Sequence, residues 1–260
     1  MSLDWFLAWR YLTARKQGRL LSFITFISLA GVTVGVMALV VVLAVMSGAQ
    51  KDFRAAILSS NAHIIILQNG ADIRMEDWQE VSAEVRTIPD VTAASPFVLT
   101  TVALRKQGVE YAQTAQLFGV RADTADLTGA TELENRILQG VYDLGPTESG
   151  LPPILLGSGL ADRMLLYPGD EVVIIGFENT QPTVMGLSPA IMAFEVTGTF
   201  TTGMYDTDVG SAYVPLEAAQ ELLGLRDRDV VSGLGVQLTH PDLADEVAER
   251  IRERLGFEYT

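Results

Sequence analysis

The sequence predicts a membrane-anchored α+β protein, with one N-terminal transmembrane helix followed by a two-lobed extracytoplasmic domain. Three observations lead there. Between Arg19 and Lys51 the chain carries no charge for 31 residues. Beyond that gap, short β-type runs alternate with helical patterns. The two flanks of the gap differ in charge, and this sets the side on which the bulk of the chain lies.

The span comes first. Ile24 to Met46 reads ITFISLAGVTVGVMALVVVLAVM, of which 18 of 23 residues are apolar and the rest are Ser, Thr or Gly. At about 1.5 Å per residue this is roughly 34 Å of helix, enough to cross a hydrocarbon core of about 30 Å. Arg10, Arg15, Lys16 and Arg19 precede it with only Asp4 against them, so residues 1–21 are expected in the cytoplasm or at its membrane surface. Trp5, Phe6, Trp9 and Leu12 fall at roughly helical spacing and predict a short interfacial helix. Ser47-Gly48-Ala49 looks like a signal-peptidase site, but the apolar run exceeds the roughly 7–15 residues of a signal sequence. An uncleaved anchor over 22–50 is therefore expected.

Residues 51–260 form the second part. His63 to Leu67 is a short apolar run ended by Asn69-Gly70, hence a strand. Met75, Trp78, Val81 and Val85 space a helix. Val91–Leu104 and Val109–Val120 are strands around the turn Lys106-Gln107-Gly108. Ile154–Leu156 is a strand, with Ser158 as the cap of a small helix, Gly159–Leu165. The turn Tyr167-Pro168-Gly169-Asp170 leads into the strand Val172–Ile175. Phe194–Phe200 and Ser211–Val214 are further strands, and Pro215 opens the helix Leu216–Leu223. Leu234–Leu238 is a strand, Leu243, Val247 and Ile251 stripe a final helix, and Phe257–Thr260 starts another strand. Strand–helix–strand blocks at both ends predict an α/β lobe from about 58–108 and 208–260, with a β-rich lobe at about 109–207 inserted.

Composition excludes several functions. Residues 51–260 hold 14 basic against 31 acidic residues, a formal charge of −17, which repels nucleic acid and anionic membrane surfaces. With no cysteine, there is neither a disulfide framework nor thiol chemistry. Ser158 lacks a nucleophile elbow, and His63 and His240 read as structural or solvated. Asp206-x-Asp208 has no calcium loop after it and reads as a solvated turn. No phosphate-binding glycine loop occurs. Nothing here points to an enzyme.

Two features point instead to interaction. Gly31-x-x-x-Gly35 and Ala44-x-x-x-Gly48 let another helix approach the span closely. From Glu178 to Ala193 runs ENTQPTVMGLSPAIMA, expected as a long connection in which Pro182, Gly186 and Pro189 break any regular element. It carries Val184, Met185, Leu187, Ile191 and Met192, and surface connections are usually polar. That much apolar area marks a binding element, and methionine suits an adaptable surface.

At this point the residues resemble a family. Ser22–Leu58 resembles the first membrane helix of the LolC/LolE permeases, membrane subunits of the ABC transporter that releases lipoproteins from the bacterial inner membrane. The resemblance continues through Ile154-Leu155-Leu156-Gly157, Tyr167-Pro168-Gly169-Asp170, Val196-Thr197-Gly198-Thr199-Phe200, Gly203-Met204-Tyr205-Asp206 and Tyr213-Val214-Pro215-Leu216-Glu217-Ala218-Ala219. It implies a MacB-like periplasmic core domain over 51–260, followed by three more membrane helices just beyond Thr260, where this chain is expected to be truncated. It implies a hook that recruits a LolA-like lipoprotein carrier, here Thr183, Val184, Met185, Gly186, Leu187, Ser188 and Pro189, and thus a LolC-like chain or one of fused role. Implied partners are a LolE-like permease or a second copy, a LolD-like ATPase that binds ATP and Mg so that this chain needs no cofactor, and triacylated lipoproteins. Val36, Met37, Val40, Leu43 and Met46 are expected to line the lipid path. A MacB-like efflux permease and an FtsX-like regulator of cell-wall hydrolases are the alternatives.

Overall fold

The computed structural model describes residues 6–7, 9–10, 19–60, 62–69, 74–121, 133–183 and 186–260. The chain divides into two compact units, residues 1–54 and 55–260. The first is dominated by α1, Arg19–Ser60, a helix of 42 residues that runs on past the expected span. Within it Phe23–Gly48 is long and apolar enough to cross a membrane, and none of it is buried by the chain itself. The expected interfacial helix falls largely outside the described residues.

The second unit is an α/β domain, whose described residues form one nine-stranded sheet. Its elements are β1 Ile64–Ile66, α2 Trp78–Val85, β2 Val91–Lys106, β3 Ala112–Val120, β4 Ile137–Gly140 and β5 Pro153–Gly157. They continue with α3 Ser158–Met164, β6 Glu171–Thr183, β7 Gly186–Phe200, α4 Tyr205–Gly210, β8 Ser211–Pro215, α5 Leu216–Leu223, β9 Gly233–Leu238 and α6 Ala244–Leu255. The strands order as β1-β9-β2-β3-β8-β5-β7-β4, with β6 pairing β2 and β7 outside that path. Most pairs are antiparallel, but β3–β8 and β5–β7 are parallel.

The two ends of the domain meet in the sheet. β1 pairs with β9, and β9 with the first half of β2. Arg254 Nε lies 3.0 Å from Glu84 and a nitrogen of Arg250 3.1 Å from Asp90, tying α6 to the region around α2. The sheet then runs without a break into the strand-rich middle, because β2 also pairs β3 and β6. Gln68 and Tyr259 form a further bridge, so the final residues do take up extended pairing.

Alternation fixes the faces. In β2, Val98, Val102 and Leu104 are fully buried while Leu99, Thr101 and Arg105 are exposed. The buried row joins Val81 and Val85 of α2, Leu222 of α5 and Val247 and Ile251 of α6 in one apolar core. A smaller core gathers Val120, Leu133, Leu144, Leu155, Phe200 and Tyr213. There Phe118 stacks on Tyr213 at 5.1 Å, and burial pushes the Tyr213 phenol up to about 12.

Two local expectations are corrected. Ser158 is the first residue of α3 rather than its cap, a place taken by Gly157 without a side-chain bond. Pro215 likewise precedes α5 as its capping residue, with φ −56° already suited to helix entry.

Candidate docking site

The connection 178–193 is not the irregular loop that its prolines suggested. It is an antiparallel ribbon: β6 and β7 pair as Glu171↔Glu195 through Gly176↔Ala190, and again as Gln181↔Ser188, Pro182↔Leu187 and Thr183↔Gly186. Val184 and Met185 lie outside the described residues. The prolines fit for a physical reason. Among the described residues neither strand of this outer stretch pairs a third strand, so a residue without an N–H can stand on the free edge. Pro189 falls where the ladder is already interrupted, and so removes no ladder bond.

That interruption forms the base of the ribbon. Between the two paired stretches, residues 177–180 face residue 189 alone. Phe177 and Ile191 are exposed there, whereas Ala190 and Met192 pack against the main core. Gly176 admits the helix beneath, since a Cβ on it would stand 3.3 Å from Leu222 Cγ. In the interrupted stretch the Glu178 carboxylate accepts a hydrogen bond from Arg74 at 2.7 Å and another from the Thr100 hydroxyl at 2.6 Å. Sequence reasoning missed both partners, because they lie 104 and 78 residues away and no local pattern announces them.

A second clamp secures the turn before β6. Lys106 Nζ donates to Asp170 Oδ2 at 2.8 Å and to the Leu165 carbonyl at 2.6 Å, and the Tyr167 N–H donates to the same carboxylate at 2.9 Å. The Lys106 bond, and then the Tyr167 amide, hold the Asp170 carboxyl below its ordinary value.

The helix residues are placed differently. Gly31, Gly35 and Gly48 have open space where a side chain would stand, and Ala44 is exposed. At about 100° per residue, Gly31 and Gly35 share one face while Ala44 and Gly48 lie roughly opposite. The same geometry puts Val36, Val40 and Leu43 together, with Met37 and Met46 flanking them on opposite sides. All five are more than half exposed.

Residues with catalytic potential have structural work. His63 Nδ1 accepts the Leu238 N–H at 2.9 Å. Asp208 is not a solvated turn residue: its carboxylate accepts from the Thr201 and Thr202 hydroxyls and from the backbone N–H of Thr202 and Gly203, closing the turn before α4. Among the described residues, no three His, Cys, Asp or Glu side chains gather as metal ligands.

Residues 25–254 match the family model of the MacB-like periplasmic core domain. The chain is 34% identical over 251 residues to the lipoprotein-releasing system transmembrane protein LolC of Xylella fastidiosa, covering 96% of this chain and 57% of that protein. It is 26% identical over 243 residues to the LolE protein of the same system in Haemophilus influenzae, covering 93% and 56%. The chain thus spans little more than half the length of these relatives. Among solved structures, the periplasmic region of MacB from Actinobacillus actinomycetemcomitans matches with a TM-score of 0.48 at 12% identity, covering 75% of this chain and 86% of that one.

Proposed function

Since the chain belongs to the MacB-like periplasmic core domain family and is a LolC-like permease, we propose that it works in an ABC transporter that takes lipoproteins out of the inner membrane. In this reading the lipoprotein passes to a periplasmic carrier docked on the ribbon 178–193. The observation that carries it is the ribbon itself. Its inner end is built into the sheet, while residues 181–183 and 186–188 pair only with each other among the described residues. A strand pair that pairs only with itself, with Leu187 in its second strand and the apolar Val184 and Met185 between the two in sequence, supports a partner site better than a core element.

The charge asymmetry around the span supports a cytoplasmic N-terminus and a periplasmic domain. ATP and Mg are bound by a separate ATPase subunit, and this chain carries the work from membrane to periplasm. A second permease subunit, LolE-like or another copy, packs on the small faces at Gly31/Gly35 and Ala44/Gly48. The acyl chains need a continuous apolar route, since each exposed CH₂ costs about 0.8 kcal/mol. Val36, Val40 and Leu43 offer one face for it.

The test is a pull-down with the purified carrier. Met185→Asp together with Leu187→Asp abolishes capture while the circular dichroism spectrum stays that of the parent. Undiminished capture by the double variant removes the docking assignment.

A further inference from the structure

We propose that Glu178 is a positioning residue: gripped by Arg74 and Thr100, its carboxylate fixes the direction in which the ribbon 181–188 leaves the sheet. The consequence for docking rests on the carrier reading above, but the geometry does not. A ribbon joined to its sheet through four residues that face only one has lost its ladder bonds where it would swing. Left alone, that stretch is a hinge. Glu178 lies within it.

Both anchors are tied to the fold. Thr100 is 4% exposed and paired to Leu117 in the middle of β2. Arg74 adjoins Met75, which is fully buried and exchanges backbone hydrogen bonds with Val231 at 2.8 and 3.1 Å. The carboxylate therefore bridges the hinge to a central strand on one side and to the segment preceding α2 on the other. Two charge-assisted bonds in different directions define an orientation, whereas one would define only a distance. The Arg74 and Glu178 side chains remain 26% and 44% exposed, so the pair adds little to global stability and its loss falls on the hinge.

Because the chain has no cysteine, two labels can be introduced without background. Spin labels at Ser188→Cys on the ribbon and Asp162→Cys on α3, in the full chain in detergent, report the ribbon's spread of distances. The parent gives one narrow distribution. Glu178→Gln and Arg74→Gln each broaden it roughly twofold, and the exchange Arg74→Glu with Glu178→Arg narrows it again. Thr100→Val, of matching shape in its buried place, removes one bond without touching a charge and broadens it less. The unmutated charges give the same answer in about 1 M NaCl, where the ion pair is screened. If only about a fifth of ribbons then point correctly, the carrier Kd rises roughly fivefold.

An unchanged width in either single variant, or an exchange as broad as the singles, overturns the clamp. A broadened ribbon with an unchanged carrier Kd overturns the consequence for docking. The carrier reading is judged separately, by the Met185 and Leu187 variant.

Discussion

Lys106 and Asp170 show how much one side-chain pair can decide. The ammonium closes the α3–β6 turn by holding both the Asp170 carboxylate and the Leu165 carbonyl, and Leu165 itself sits in the left-handed region at φ 51°. Asp170 titrates below its ordinary value of 3.8 because the Lys106 bond, then the Tyr167 amide, stabilises the anion. The folded group is thus the stronger acid. Its contribution is complete above the unfolded value and fades as pH falls through the lower, folded one. Lys106→Met should cost about 1 kcal/mol near neutrality, a modest figure because both partners are about a third exposed. Urea unfolding of parent and variant across the acid range checks this. The gap between them narrows below about pH 4, leaving the share due to the Leu165 carbonyl. A gap that stays constant would assign the whole effect to that carbonyl.

Helix and sheet packing is governed by close approach. A Cβ on Gly119 would stand 2.4 Å from Ala219 Cβ and 3.2 Å from Val98 Cβ, so α5 rests on β3 only because that position is bare. Gly119→Ala should cost roughly 1–3 kcal/mol by forcing the helix away. Ala219→Gly in the same chain should restore part of it, since the two sites share one clash; thermal unfolding of the single and double variants measures both. Elements of this kind were largely legible. The run of β2 and the stripe Leu243, Val247 and Ile251 repeat with the period of the structure they form, and Val247 and Ile251 are buried as that stripe required. The ribbon is not legible locally, because Pro182, Gly186 and Pro189 break interior strands, and only the pairing reveals that the first two stand in the outer stretch and Pro189 in the break of the ladder. Asp208 was misread for a related reason: a carboxylate that satisfies its own turn has the same local sequence as one that faces water. The Glu178 clamp was beyond reach, since it depends on contacts made by distant residues.

At the scale of the molecule, the order of strands is the part that sequence patterning does not carry. The parallel pairs β3–β8 and β5–β7 join segments far apart in the chain, and periodicity says which strands exist but not which are neighbours. The sheet has a hub. β2 pairs β9 through its first half, β6 through its second and β3 across the middle. A fragment of residues 55–260 should therefore unfold in one transition, with near- and far-ultraviolet signals moving together. Separate transitions for the strand-rich middle and the two ends would mean that β2 does not couple them.

The same hub has a mechanical meaning. The chain enters the sheet at β1, while the ribbon leaves it from β6 and β7. A pull between those two places passes through three ladders in turn, β1 with β9, β9 with β2 and β2 with β6. Because those ladders belong to one sheet, a displacement at its first strand reaches the base of the ribbon through paired backbone alone.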